Sequence, residues 1–502
     1  MNFKLNALTV AVASAFAAAP SAYALDLATT QGLLASGSAG TNVTYVSGAT
    51  APTRSVFLAI ATELCAAGSI DVWKTGAATA APGNNFLISC TLNSASPVPA
   101  TLQGKNWAFN FAVQGGSLTS IRGQSTTVSL QNEFLTSALV GCDAAGAAGF
   151  GGYNTFGNCN AVVGTGLVAA QSHGGFSDVE KAIFSDQIAT YTGLPAIAAT
   201  AITAGQTFGV AVNTALYRAL QESQGITVAA RPECRDDTLG GAVVGVDDRA
   251  PTCQPSISWQ VYTSLINSLK NAAKSNATLL ITKDGAGVAV PTNATFTNCR
   301  RPSTSGTQAS SNVFFLSRPC SRGPETLGER IPAGQGTISN VQTLNASGSG
   351  DVRNCLNGNA AIDTEANSDG ILVSTPVTGT YRFGVLSGEN RPAAGQSYSY
   401  VKIDGLAINT DGTPSTSNQR QSYIDGNYNF GFELALHTNP TGYANSDALL
   451  KAAGTALGNP TLTNLTGVFI TRNATFSNTT HPTQVAKGTR GGNSCAPQNI
   501  PN

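Results

Sequence analysis

Charge is what this chain has least of. Of 502 residues only 11% are Asp, Glu, Lys or Arg, less than half the usual quarter. Lys+Arg and Asp+Glu both total 27, so the formal charge is zero and no basic excess exists to hold nucleic acid or an anionic bilayer surface. No nucleic-acid partner is expected. Histidine occurs only at His173, His437 and His481, too few and too scattered for a zinc site. After the N-terminus there is no apolar run of the length a membrane helix needs, so no membrane span is expected. G-x-S-x-G, H-E-x-x-H and Walker loops are also missing. No local motif supports a hydrolase, and no cofactor is implied.

Apolar residues, by contrast, make up 42% of the chain, enough for a sizeable core, and its length suits two lobes. With so few charges, the surface must be carried by Ser, Thr, Asn, Gln and Gly. The first residues read as an export signal: Lys4, an apolar stretch from Leu5 to Ala19, Pro20, and the A-x-A site Ala22-Tyr23-Ala24. Cleavage is expected after Ala24, leaving a periplasmic or extracellular protein. Ten cysteines then read as five disulfides. Pairing of neighbours in order is expected: Cys65–Cys90, Cys142–Cys159, Cys234–Cys253 and Cys299–Cys320, with Cys355–Cys495 closing the long loop.

Apolar periodicity alternates between strand and helix along most of the chain, which is the signature of an α/β fold. Val43–Val46 reads as a strand, and Val56, Phe57, Ile60 and Leu64 as one helix face. Trp107–Val113 and "ATLLITKDG" (277–285) read as strands, as do "TGTYRFGVLSG" and "YSYVKIDGLAI". Helices are expected over Thr214–Gln224 and within 256–274. Residues 141–175, rich in Gly and Ala, read as a stapled surface insertion. "DTEANSDG" (363–370) alternates oxygens in the manner of a cation loop, but its spacing does not fit an EF-hand, and a solvated loop is the better reading. His173 reads as a solvated loop histidine that could also line a cleft.

Four turns carry chemistry suited to an oxyanion. "SGAT" (Ser47–Thr50) sits between a strand and a helix, where unpaired N–H groups favour an anion. "QGGSLTSI" places Ser117 in a glycine turn after a strand. "GGFSDVE" places Asp178 at a strand end, where it can also serve as a helix cap. In "RPSTSGT", Arg301 stands four residues before Ser305, with Gly306 and Thr307 following. A guanidinium can make two parallel bonds to one oxyanion, and Gly306 lets backbone approach it closely.

In this order, the four turns resemble those of the periplasmic substrate-binding proteins of phosphate ABC transporters. The resemblance implies a two-lobed type II clamshell, each lobe a mixed sheet flanked by helices, with disulfide-stapled insertions. It implies lobe one at 25–205 and 390–502, lobe two at 206–389, and crossings near "AITAGQTFGVAVN" and "TGTYRFGVLSGEN". It further implies that Ala49, Thr50, Ala51, Ser117, Asp178, Arg301, Ser305, Gly306 and Thr307 surround phosphate, or a related tetrahedral oxyanion, when the lobes close. Asp178 would accept the proton that phosphate keeps and sulfate lacks. The expected protein is a monomeric binder rather than an enzyme, with an ABC permease as a partner. A secreted phosphatase-like hydrolase and an extracellular structural protein on the same scaffold are the alternatives. The chain departs from the family at Ser303, where many members carry an acid that holds the arginine, so Glu or Asp from elsewhere is expected there.

Overall fold

The computed structural model describes residues 25–36, 42–78, 83–143, 150–159, 166–234, 248–268, 280–291, 293–320, 341–358, 379–392, 396–460, 462 and 465–500. The export signal at 1–24 and the 363–370 loop lie outside them.

The strands are β1 (Val43–Gly48), β2 (Asp71–Lys74), β3 (Asn85–Thr91), β4 (Asn106–Ala112), β5 (Asn132–Leu135), β6 (Asn154–Phe156), β7 (Leu167–Ala170), β8 (Gly174–Ser177) and β9 (Ala198–Asn213). There follow β10 (Ser256–Ile257), β11 (Phe296–Arg300), β12 (Val341–Asn345), β13 (Tyr381–Ser387), β14 (Tyr398–Tyr400), β15 (Lys402–Ile403), β16 (Gly431–Thr438) and β17 (Val468–Ile470). The helices are α1 (Leu27–Ser36), α2 (Thr53–Ala59), α3 (Thr119–Arg122), α4 (Ser185–Ile188), α5 (Thr214–Ser223), α6 (Trp259–Ser268), α7 (Gly306–Leu316), α8 (Ser349–Asn357), α9 (Gln421–Ile424) and α10 (Ala444–Leu457). The α/β reading therefore holds at the level of a large mixed sheet flanked by helices.

Thirteen strands form that sheet, in the order β12-β11-β13-β9-β16-β8-β1-β4-β3-β2-β6, with β14 and β17 also paired to β9. Its central strands β1, β8 and β16 are buried along their whole length. Apolar runs without strict alternation form strands where helices cover both faces. Everything depends on β9. Ala198–Thr207 pairs with β16, and Phe208–Val212 then pairs with β13, so one strand belongs to both halves of the sheet. Crossings expected near 201–213 and 378–390 fall on β9 and β13.

Between β1 and β8 the backbones approach so closely that only glycine fits. A Cβ on Gly175 would stand 1.7 Å from Ser47 O, and one on Gly48 (φ +131°) 2.1 Å from Phe176 O. Beyond β1, Val56, Phe57, Ile60 and Leu64 pack with Leu449 and Leu450 of α10 against Phe86, Phe109 and Phe111. This is the helix face read from the sequence, though α2 passes into a π-turn at Ile60–Leu64 that delivers Cys65 to Cys90. A second core joins Leu118, Ile121, Val179 and Phe184 to Phe208, Phe315, Phe383 and Phe430, and so spans both halves of the sheet.

Three expectations change. Residues 280–285 form a turn closed by a Lys283–Ala289 bridge rather than a strand, because Asp284 accepts from Ala286 and Val288 N–H. Residues 141–175 are not all surface insertion: β6 extends the main sheet beside β2, and Gly174 and Gly175 lie in its centre. The disulfides are Cys65–Cys90, Cys142–Cys159, Cys234–Cys253, Cys299–Cys355 and Cys320–Cys495, so two of the expected pairs exchange partners. Cys299 on β11 lies under α8, which carries Cys355. Cys320, just past α7, meets the C-terminal tail, where Glu180 accepts bonds from Ser494 N and Oγ, and Glu433 from Thr489 Oγ1 and Arg490 N.

Non-reducing peptide mapping should link Cys299 to Cys355 and Cys320 to Cys495, with no thiol titrating in denaturant. A peptide joining Cys299 to Cys320 would refute this connectivity. Removing Cys320–Cys495 by paired serine substitution should cost roughly 2–4 kcal/mol, because the bond closes the longest loop.

Candidate functional site

The site forms where the two halves of the sheet meet at the N-terminus of α7. Asp178 follows β8 directly, Ser117 lies in the turn after β4, and Arg301 follows β11. Gly116 at φ +77° holds the first turn against the α7 loop, since a Cβ there would meet Ser305 Cα at 2.6 Å. Leu118 N donates to Thr304 O at 3.0 Å, joining the two turns through the backbone. Gly306 then packs onto both partners: a Cβ on it would stand 2.0 Å from Ser117 Oγ and 2.6 Å from Asp178 Oδ2. Any side chain at 306 would push α7 away from Asp178.

The Ser305 side chain makes no capping bond to α7, and a carboxylate stands beside the helix N-terminus, where its charge is favoured. Ser117 Oγ accepts from Asp178 N at 3.2 Å. Asp178 Oδ1 is buried with no hydrogen-bond partner among the described residues, as are the hydroxyls of Ser303, Thr304 and Thr307. Burial pushes the Asp178 carboxyl up to about 7, against the Arg301 guanidinium and the Ser117 and Thr307 hydroxyls. Thr307 is thus close enough to act on the carboxyl, yet makes no bond of ordinary geometry to it.

Arg301 is 2% exposed. Its Nε donates to Ala346 O (3.1 Å), Nη2 to Ser347 O (2.9 Å), and Nη1 to Thr50 Oγ1 (3.0 Å) and Ser349 Oγ (3.4 Å). These carbonyls and hydroxyls orient the fork. Thr50, Ser117, Asp178, Arg301, Ser305, Gly306 and Thr307 are brought together. Ala49 and Ala51 are buried in the same loop, with Ala49 N bonded to Phe176 O and Ala51 O accepting from Gln206 Nε2. Ser47 points elsewhere, to Thr119 O and Ser172 Oγ.

Sequence reading missed Gln206 and Glu389. Gln206 Nε2 also reaches Glu389 Oε2 at 3.4 Å, and Oε1 of each is buried without a partner among the described residues. Burial raises the Glu389 carboxyl to about 8, with the Asp178 charge adding to the shift and Arg54, Gln206 and Arg353 opposing it. A strand-to-turn acid in "LSGEN" was the only available signal. His173 is neither solvated nor in the cleft. It is buried, bonded to Ser446 Oγ (2.9 Å) and stacked on Tyr443 at 3.8 Å. His437 is likewise buried, against Ser120 Oγ at 2.8 Å. Burial lowers both to about 3. No group of three His, Cys, Asp or Glu among the described residues could hold a metal. No helix among them is long and apolar enough to cross a membrane.

No family model and no curated protein matches this chain.

The buried groups set opposite pH trends. Asp178, with its native pKa raised, stabilises the fold below pH 4, and that contribution is lost as pH rises towards 7. Asp178→Asn should therefore raise the stability of ligand-free protein at pH 8 by about 2–4 kcal/mol, with the gain fading near pH 4. The histidines, with lowered native pKa values, stabilise the fold above pH 6.5 and lose that contribution as pH falls towards 3. His437→Gln should flatten the acid limb of the stability profile. Denaturant melts across pH 4–8 check both, and an Asp178→Asn difference independent of pH would contradict the buried-carboxyl assignment.

Proposed function

We propose that this is an exported binding protein that captures inorganic phosphate, or a related tetrahedral oxyanion, by closure of two lobes. Lobe one comprises 25–205 and 390–502 and lobe two 206–389, with β9 as the principal hinge strand. One observation carries the reading. Three segments distant in sequence deliver a buried guanidinium, a buried carboxyl lacking a partner on one oxygen, and several buried hydroxyls to the N-terminus of α7. Unsatisfied polar atoms of this kind cost roughly 1–3 kcal/mol each, and a hydrogen phosphate supplies both acceptors and one donor. The guanidinium supplies charge-assisted bonds, and Asp178 accepts the ligand proton. Five disulfides suit an oxidising compartment, which supports the export reading. A permease that accepts the anion is the partner this function calls for.

Arg301→Ala should weaken phosphate binding by roughly 2–4 kcal/mol in calorimetric titration. Arg301→Lys should recover only part of that loss, because an ammonium cannot make the paired contact. Wild-type affinity in Arg301→Ala would remove the site from α7.

A further inference from the structure

We propose that the ligand carries two linked oxyanion groups, as inorganic diphosphate does, with the second group held in an adjoining recess formed by Arg54, Gln206, Arg353 and Glu389. The inference rests on the reading of Asp178 and Arg301 as an oxyanion site, and extends it to a different substrate class.

Each of the two arginines follows by four residues a hydroxyl residue that bonds Arg301. Arg301 Nη1 bonds Thr50 on one side and Ser349 on the other. Arg353 stands four residues after Ser349 on α8, one turn along the same helix face. Arg54 stands four residues after Thr50, in the first turn of α2. Gln206 and Glu389 connect the recess to the loop that carries Thr50: the fully buried Gln206 amide bonds Ala51 O at 3.1 Å and Glu389 Oε2 at 3.4 Å. Gln206 Oε1, Glu389 Oε1 and Arg353 Nε are all buried without a hydrogen-bond partner among the described residues. Three chain segments thus leave two acceptors and one donor unsatisfied beside the first site.

The chemistry of the recess repeats that of its neighbour. At Asp178 a carboxyl lies beside one guanidinium, and at Glu389 a carboxyl lies within the field of two. A carboxyl that holds its proton donates to an oxyanion, and the guanidiniums balance the anion's charge. A neutral hydroxylated extension would gain little from two arginines, whereas a second phosphoryl group uses both. Exposure gives the direction: Asp178 and Arg301 are buried, Glu389 and Arg353 half-buried, and Arg54 exposed. The second group therefore extends from the enclosed site towards solvent.

Calorimetric titration of the purified chain with inorganic phosphate and inorganic diphosphate, at one pH and ionic strength, tests this. Diphosphate should bind at least about tenfold more tightly. Arg353→Gln should bring the ratio of the two affinities close to one. Arg54→Gln, at an exposed position where folding is safe, should lower the same ratio. Phosphate binding without a diphosphate preference, or a preference unchanged in both variants, overturns the recess and leaves the phosphate site standing. Failure of both anions to bind overturns the recess together with the reading on which it rests.

Discussion

The contact of Gly306 with Asp178 and Ser117 is the constraint on which the rest of the structure turns. It joins the first turn of α7 to the ends of β8 and β4, and it needs a residue without a side chain. The Leu118–Thr304 backbone bond and the glycine turn at 115–116 hold the same junction from the other side. Around it the cores of both halves merge, with Val179 and Phe184 packed among Phe315 and Phe430. A carboxylate buried at such a junction opposes stability at neutral pH, since burial favours its protonated form. In the proposed function, a bound anion that donates a proton would offset that cost.

Arg301 is held in part by neutral groups. Two carbonyls and two hydroxyls, from Ala346, Ser347, Ser349 and Thr50, hold its guanidinium plane. In a chain with so few charges, each buried one has a large effect on its surroundings. Arg54, Arg353 and Glu389 extend that sparse charge pattern outward from Asp178.

Much of this junction was legible in the sequence because its residues sit in turns with local signatures. Ser177-Asp178 ends a strand, and Ser305-Gly306-Thr307 opens a helix, and neither depends on distant packing. The disulfides were legible only where the loop is short and self-contained, as at Cys65–Cys90. Cys299 has Cys320 as its sequence neighbour but Cys355 as its spatial one, because α8 returns over β11. His173 was misread because glycine neighbours suggest a loop, whereas Gly174 and Gly175 allow β8 to pack tightly against β1. Glu389 was hard to read for the reverse reason: its one local mark is an acid at a strand-to-turn junction, and the course of β9 and β13 brings it beside Gln206.

Anion selectivity in the Asp178→Asn variant is the most direct measurement, because a carboxylate acceptor has meaning only for an anion that keeps a proton. Wild-type protein should bind phosphate and arsenate and reject sulfate in calorimetric titration at neutral pH. Asp178→Asn replaces an obligate acceptor with a group that also donates, and should gain sulfate affinity relative to phosphate. Identical selectivity in the two proteins would contradict the assignment of Asp178 to the anion and with it the phosphate reading of the α7 junction.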